Sequence, residues 1–335
     1  MNKFFTLSDK DKAFIIQTTA DKIGLPAQAI EKDLWVSTIV QIIFTLPFAN
    51  NLVFKGGTSL SKVWNLIERF SEDIDLAIAR KQLDLPEGDL TIRQIKKLRK
   101  QSSVFVKKTF CEEIQNAINR FGMQNFCTIE PQPDGEGDKT YPEPRKIFIR
   151  YNSLFAELSY LKPEVVLETG ARSLFEPTTK FKIKSLISEN TPLDTSVTDS
   201  EIIVAQPNKT FLEKVFLLHE IFTSGGNMHA NRKSRHLYDL EKMMDCDFAL
   251  QAINDDELWE TIRHHRETFT RMNGVDYTLD IRKRICLIPP ETVLTEWKQD
   301  YETMANSMIY GKKLTFDELI TRIRKLQEKF RIFAV

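Results

Sequence analysis

The sequence predicts an α/β (α+β) core followed by a mainly helical C-terminal domain, and three observations carry that fold class. An apolar run, Leu52 to Phe54, enters Gly56-Gly57 and then apolar positions at helical spacing (Leu60, Val63, Trp64, Leu66, Ile67), which reads as strand, glycine turn, helix. Asp73-Ile-Asp-Leu-Ala-Ile78 alternates as a strand does, so Asp73 and Asp75 leave the same face. Beyond Ala205 the strand patterns stop and helical ones continue, which puts a boundary near 195–208 and gives two domains, 1–200 and 201–335.

In chain order, Ser8 followed by Asp9, Asp11 and a periodic run to Ile23 reads as a capped helix closed by Gly24. Pro26 opens a second helix that stops near Pro47, with Glu31-Lys32-Asp33 expected on a solvated face. After the Asp-Ile-Asp strand, 81–89 is a loop and Thr91 to Phe121 one long helix carrying Arg93, Lys96, Lys97, Arg99, Lys100, Lys107 and Lys108. A run of this kind is a solvated face by default; it is also the most basic stretch near the acidic strand, a candidate for contact with RNA or a polyphosphate. Strands are expected at Phe126–Glu130, Lys146–Tyr151, Pro163–Glu168 and Glu201–Ala205, with a weak edge strand at Phe181–Ile187. The C-terminal helices are expected at Thr210–Phe222, Asn231–Met244, Asp256–Phe269, Glu291–Tyr301 and Thr315–Phe330.

Composition bounds the function classes. The 335 residues hold 41% hydrophobic side chains, ample for a folded core. Lys+Arg and Asp+Glu are 47 each, so no global field draws the chain to nucleic acid, although a local patch can. Cys111, Cys127, Cys246 and Cys286 are far apart without a CxxC, which suggests neither a zinc site nor a disulfide framework and fits a reducing cytoplasm. The N-terminus lacks a signal-peptide core, and Leu34 to Phe48 is too short and too interrupted to span a bilayer, so a soluble cytoplasmic protein is expected.

The chemistry concentrates at 52–78. Glycine lets the backbone approach a ligand and helix-start N–H groups favour an anion, so Gly56-Gly57-Thr58-Ser59 suits a phosphate, with two hydroxyls at the same place. Paired carboxylates repel unless a cation lies between them, and hard oxygen ligands suit magnesium. A phosphate cradle and a metal-binding pair separated by one short helix are what metal-assisted phosphoryl or nucleotidyl transfer requires. Walker A spacing is absent, since Lys55 precedes the glycines and Lys62 follows five residues after Gly57. Glu168, near a strand end, is either a third metal-facing carboxylate or an ion-pair partner of Arg172 or Lys162.

Phe54-Lys-Gly-Gly-Thr-Ser-Leu-Ser-Lys62, Arg69-Phe-Ser-Glu-Asp-Ile-Asp-Leu76, Thr210-Phe-Leu-Glu-Lys214 with Leu217-Leu-His-Glu220, and Arg235-His-Leu-Tyr-Asp-Leu240 together resemble the AbiEii-type nucleotidyltransferase toxins of the DNA-polymerase-beta-like superfamily. The similarity runs from about Glu31 to about Met244. The resemblance implies a mixed sheet flanked by helices, with Gly56, Gly57, Thr58, Ser59 and Lys62 holding a nucleoside triphosphate. It further implies that Asp73, Asp75 and Glu168 bind magnesium, two ions being expected, and that Lys214 meets phosphate while Asp239 completes the site. Growth inhibition, a cognate antitoxin and an RNA acceptor, tRNA foremost, or a protein acceptor also follow from it. Taken without the family, Lys214 reads as a surface lysine paired with Glu213 or Glu220, and Asp239 as a partner of Arg235 or Arg232. A transferase acting on a small molecule and an inactive partner-binding protein of the same fold are the competing readings.

Overall fold

A computed structural model describes residues 3–135, 140–156, 161–175 and 177–332. The chain divides into two compact units: Met1–Val63 with Phe70–Ala205, and Trp64–Arg69 with Gln206–Val335.

The first unit is α/β. Its helices are α1 (Asp9–Ile23), α2 (Ala27–Ile43), α3 (Gly56–Lys62), α4 (Ile92–Phe105), α5 (Cys111–Arg120) and α6 (Leu186–Asn190). Its strands are β1 (Leu52–Lys55), β2 (Asp73–Ile78), β3 (Cys127–Pro131), β4 (Arg145–Tyr151), β5 (Glu164–Gly170), β6 (Thr178–Phe181) and β7 (Ile202–Ala205). They form one mixed sheet in the order β3-β4-β5-β2-β1-β7-β6, in which β2 runs parallel to β5 and β1 parallel to β7. One face of β2 and β5 is apolar, Ile74, Leu76, Val165 and Leu167 being at most 1% exposed, and α2 packs on these two strands. The hydrophobic effect therefore fixes which face of each strand is left for chemistry, because a one-residue slip would exchange the two.

Local signals set most element ends. Ser8 accepts from the Asp11 N–H at 3.2 Å to start α1, and Gly24 closes it at φ 73°. Thr91 and Gln94 form a capping box at the start of α4, and a π-helical turn, Val106–Phe110, joins α4 to α5 where one uninterrupted helix was expected. The glycine-turn helix is shorter than its apolar spacing suggested. It ends at Lys62, and Asn65 takes a left-handed φ of 49°, so Trp64, Leu66 and Ile67 lie outside it. The expected edge strand at 181–187 is displaced, β6 ending at Phe181, while Ser185 accepts from the Ser188 N–H and starts α6.

The largest correction concerns Glu31-Lys32-Asp33, expected in solvent and found buried at 2, 3 and 7% exposure. Helix α2 is enclosed on nearly every side, so its charged turn has no solvent face. Each charge has an inward partner instead. Glu31 accepts from the Ser153 hydroxyl at 2.6 Å and the Leu154 N–H at 2.8 Å, Lys32 meets Glu72 at 2.5 Å, and Asp33 meets Lys62 at 2.5 Å. Burial nevertheless pushes the Glu31 carboxyl above its ordinary value.

The second unit is helical: α7 (Pro207–Thr223), α8 (Arg235–Met243), α9 (Asp247–Ile253), α10 (Asp256–His265), α11 (Glu291–Ser307) and α12 (Phe316–Ile332). Helix α7 begins at Pro207, which suits a first helical position, so Thr210 lies inside the helix and does not cap it. Residues 231–234 are not helical. Asp300 on α11 accepts from the Arg232 and Ser234 N–H groups at 2.6 and 3.0 Å, and α8 starts only at Arg235. All four cysteines are free thiols. Among the described residues, no helix is long and apolar enough to cross a membrane.

Candidate active site

Strand pairing assembles the acids. Asp75 on β2 is the register partner of Glu168 on parallel β5 and of Lys55 on antiparallel β1, and Glu168 is in turn opposite Lys146 on β4. Paired residues project from one face, so Lys55, Asp75, Glu168 and Lys146 form a row of alternating blocks of charge across four strands. Asp73, two residues before Asp75, belongs to the same face, and all three acids are half-buried while their strand neighbours are sealed.

The glycine turn meets this row. Gly56 sits at φ 79°, and a Cβ built on it would fall 2.0 Å from Asp75 Oδ2. Only a residue without a side chain can place its backbone there, for reasons of both φ and space. The turn is fastened from behind. The Thr58 hydroxyl donates to the Asp73 carbonyl and lies 2.9 Å from Ser71 Oγ, and the Ser59 hydroxyl donates to the Gly56 carbonyl at 2.9 Å. Both hydroxyls, expected at the phosphate, are thus bonded to the chain itself. Lys62, expected at the same ligand, has a buried ammonium 2.5 Å from Asp33 Oδ1 and 3.2 Å from the Lys184 carbonyl oxygen. It ties the end of α3 to α2.

Glu168 Oε2 lies 3.5 Å from Lys146 Nζ, with both side chains partly exposed. Of the two ion-pair partners anticipated for Glu168 neither is used; Arg172 pairs instead with Glu143 at 2.5 Å. Lys146 escaped notice because its register with Glu168 arises from strands about twenty residues apart, which no local pattern records. Among the described residues no three His, Cys, Asp or Glu side chains form a ready metal cluster. The Asp73–Asp75 pair fits a hard cation by its oxygen donors and by its place against Gly56, whereas Glu168 joins them only by leaving Lys146.

Replacing Gly56 by alanine is expected to lower turnover about 100-fold, because the new methyl group must displace the Asp75 carboxylate or the turn. Steady-state kinetics alongside a thermal melt check this, and an alanine variant with wild-type turnover would sever the turn from the chemistry.

In the second unit Lys214 and Asp239 do come together. Asp239, fully buried, lies 2.9 Å from Lys214 Nζ, and Arg69 approaches its two oxygens at 2.7 and 2.8 Å. The two cations hold the Asp239 carboxyl well below the ordinary carboxylate range despite its burial. Burial pushes the Lys214 ammonium down, against the pull of Asp239. His236 Nδ1 lies 3.3 Å from Lys214 Nζ, and burial followed by the Lys214 charge lowers its pKa well below the ordinary value, so the neutral ring accepts from the ammonium. The partners suggested by spacing, Arg235 and Arg232 for Asp239 and Glu213 and Glu220 for Lys214, are not these. Glu220 accepts from Arg266 and, at 2.8 Å, from the Tyr277 hydroxyl.

Comparison with known proteins identifies the family and a neighbour in fold. The family model described as "Nucleotidyl transferase AbiEii toxin, Type IV TA system" matches residues 39–322. Among solved structures, MenT4, a nucleotidyltransferase toxin from Mycobacterium tuberculosis H37Rv, superposes with a TM-score of 0.57 at 15% identity, covering 98% of this chain and 93% of that one. At that identity the likeness is one of fold. No curated protein matches the chain in sequence.

Proposed function

The chain belongs to the AbiEii nucleotidyl transferase toxin family, and from that premise we propose that it transfers a nucleoside monophosphate from a nucleoside triphosphate to RNA, using Asp73 and Asp75 to hold magnesium. It is a nucleotidyltransferase, the toxin of a type IV toxin–antitoxin system. The observation that supports this reading is the closeness of Gly56 to the Asp75 carboxylate, since a Cβ built on Gly56 would fall 2.0 Å from Asp75 Oδ2 and only a bare glycine backbone fits there.

Bound by Asp73 and Asp75, a divalent ion would supply positive charge where the triphosphate gathers negative charge. The chain's own groups do the rest. The N–H groups at the start of α3 hold phosphate oxygens, and Lys55, in register with Asp75, adds a cation at the edge of the row. An acceptor hydroxyl attacks the α-phosphorus, the new oxygen–phosphorus bond forms as the bond to pyrophosphate breaks, and the proton passes to a carboxylate, for which Glu168 is placed one strand away.

Helix α4 supports an RNA acceptor over a small molecule. No acid occurs between 90 and 111, and Arg93, Lys96, Lys97, Lys100 and Lys108 are exposed. Such a face suits a phosphate backbone. Incubation with each labelled triphosphate, magnesium and total bacterial RNA and protein is expected to leave the label on RNA, in greatest part tRNA, and to lose it at high salt. Label found on protein alone, or on neither fraction, would overturn the choice of acceptor.

A further inference from the structure

Helix α2 carries no residue expected at the reacting centre, yet two of its consecutive charges, Lys32 and Asp33, meet the segments that deliver that centre. Lys32 Nζ lies 2.5 Å from Glu72 Oε2 and 3.1 Å from the Lys162 carbonyl oxygen. Glu72 immediately precedes Asp73, the first residue of β2, and Lys162 stands two residues before Glu164, the first residue of β5. One buried ammonium therefore holds the entries of the two parallel strands that bear Asp73, Asp75 and Glu168. Asp33, the next residue, holds Lys62 at the end of α3 at 2.5 Å and accepts from the Leu186 N–H at 2.7 Å.

We propose that Lys32 is a positioning residue for nucleotidyl transfer, fixing where β2 and β5 enter the sheet so that Asp75 and Glu168 remain opposite one another beside the glycine turn. The proposal rests on the reading of Asp73 and Asp75 as the cation-holding pair. Lys32 is 3% exposed, so its action passes through the strands and not through contact with substrate. Neutralising a buried Glu72 would take one bond from the ammonium; the second, donated to a main-chain carbonyl on the other strand's entry, is what couples the two strands. A compact ammonium with three donors can serve two acceptors that are not coplanar, which a longer, planar guanidinium cannot do from the same point.

Two variants test it. Lys32→Met takes one cation from a buried carboxylate, so Lys32→Met/Glu72→Gln is the informative form because it removes the Glu72 charge as well. The double variant is expected to regain the wild-type melting temperature while kcat stays down about 10–100-fold, KM for the triphosphate changes less than about twofold, and affinity for manganese alone falls about tenfold. Lys32→Arg keeps a charge pair but shifts its reach, and is expected to fold with kcat and manganese affinity lowered together. Recovery of kcat and manganese binding along with the melting temperature in the double variant, or a wild-type kcat in Lys32→Arg, overturns the proposal. Asp73→Asn/Asp75→Asn serves as the control. If it binds manganese as the wild type does, the reading of the acid pair has failed; if it loses manganese while the Lys32 variants retain it, only the positioning role has.

Discussion

An Asp75→Asn protein folds as the wild type does and transfers nucleotide about 10²–10³-fold more slowly, the loss that follows from deleting one group that stabilises charge in the transition state. Asparagine keeps the size of the side chain, so the approach of Gly56 to residue 75 is undisturbed. What changes is charge. One of the two neighbouring carboxylates on the open face of β2 is gone, which removes half of the cation-holding pair and relieves like-charge repulsion. The discriminating measurement is the melting temperature with and without magnesium: ligand binding raises it for the wild type by mass action, and the increment should vanish in the variant. Full transfer of labelled nucleotide by a correctly folded Asp75→Asn protein would remove the chemical basis proposed for this face.

Asp239→Asn should be the most destabilising single change in the second unit, by about 3–5 kcal/mol, because it removes the buried carboxylate on which two buried cations converge. Arg69 and Lys214 both converge on that one carboxylate. Chemical denaturation followed by tryptophan fluorescence measures the cost, and a change below about 1 kcal/mol would mean that the cluster is solvated in solution. The same carboxylate sets an acid limit. Its pKa in the folded protein is held below that of the unfolded chain, so its contribution is complete above the ordinary carboxylate value and is lost only as the pH falls through the depressed one. In the wild type this unit should lose that contribution progressively as the pH falls below the ordinary carboxylate value, and the Asn variant should show no such acid-dependent loss.

Four sequence blocks between about Glu31 and Met244 carry the likeness to the family, whose model matches residues 39–322. Strand β2 was legible because alternation is a local property, and so was the common face of Asp73 and Asp75. The turn was legible because only glycine takes φ 79° without cost at Gly56. Less visible was what the hydroxyls and Lys62 do. A threonine, a serine and a lysine beside a phosphate loop look alike whether they face ligand or chain, and here Thr58, Ser59 and Lys62 bind back to the protein. The Glu31-Lys32-Asp33 trio was misread for a related reason. Charge on a helix signals solvent unless partners lie inside, and those partners, Ser153, Glu72 and Lys62, come from segments up to 122 residues away.

By itself the sequence determined the α/β class, the strand that carries two acids on one face, and the glycine bend ahead of it, since each depends on neighbours within about ten residues. Tertiary structure alone decided that Glu168 faces Asp75 and Lys146, that Lys32 joins two strand entries, and that Arg69 and Lys214 share Asp239. Burying a charge is tolerable only where a counter-charge is delivered to the same spot, and that delivery is made by strand register and helix packing over distances along the chain that no local pattern spans.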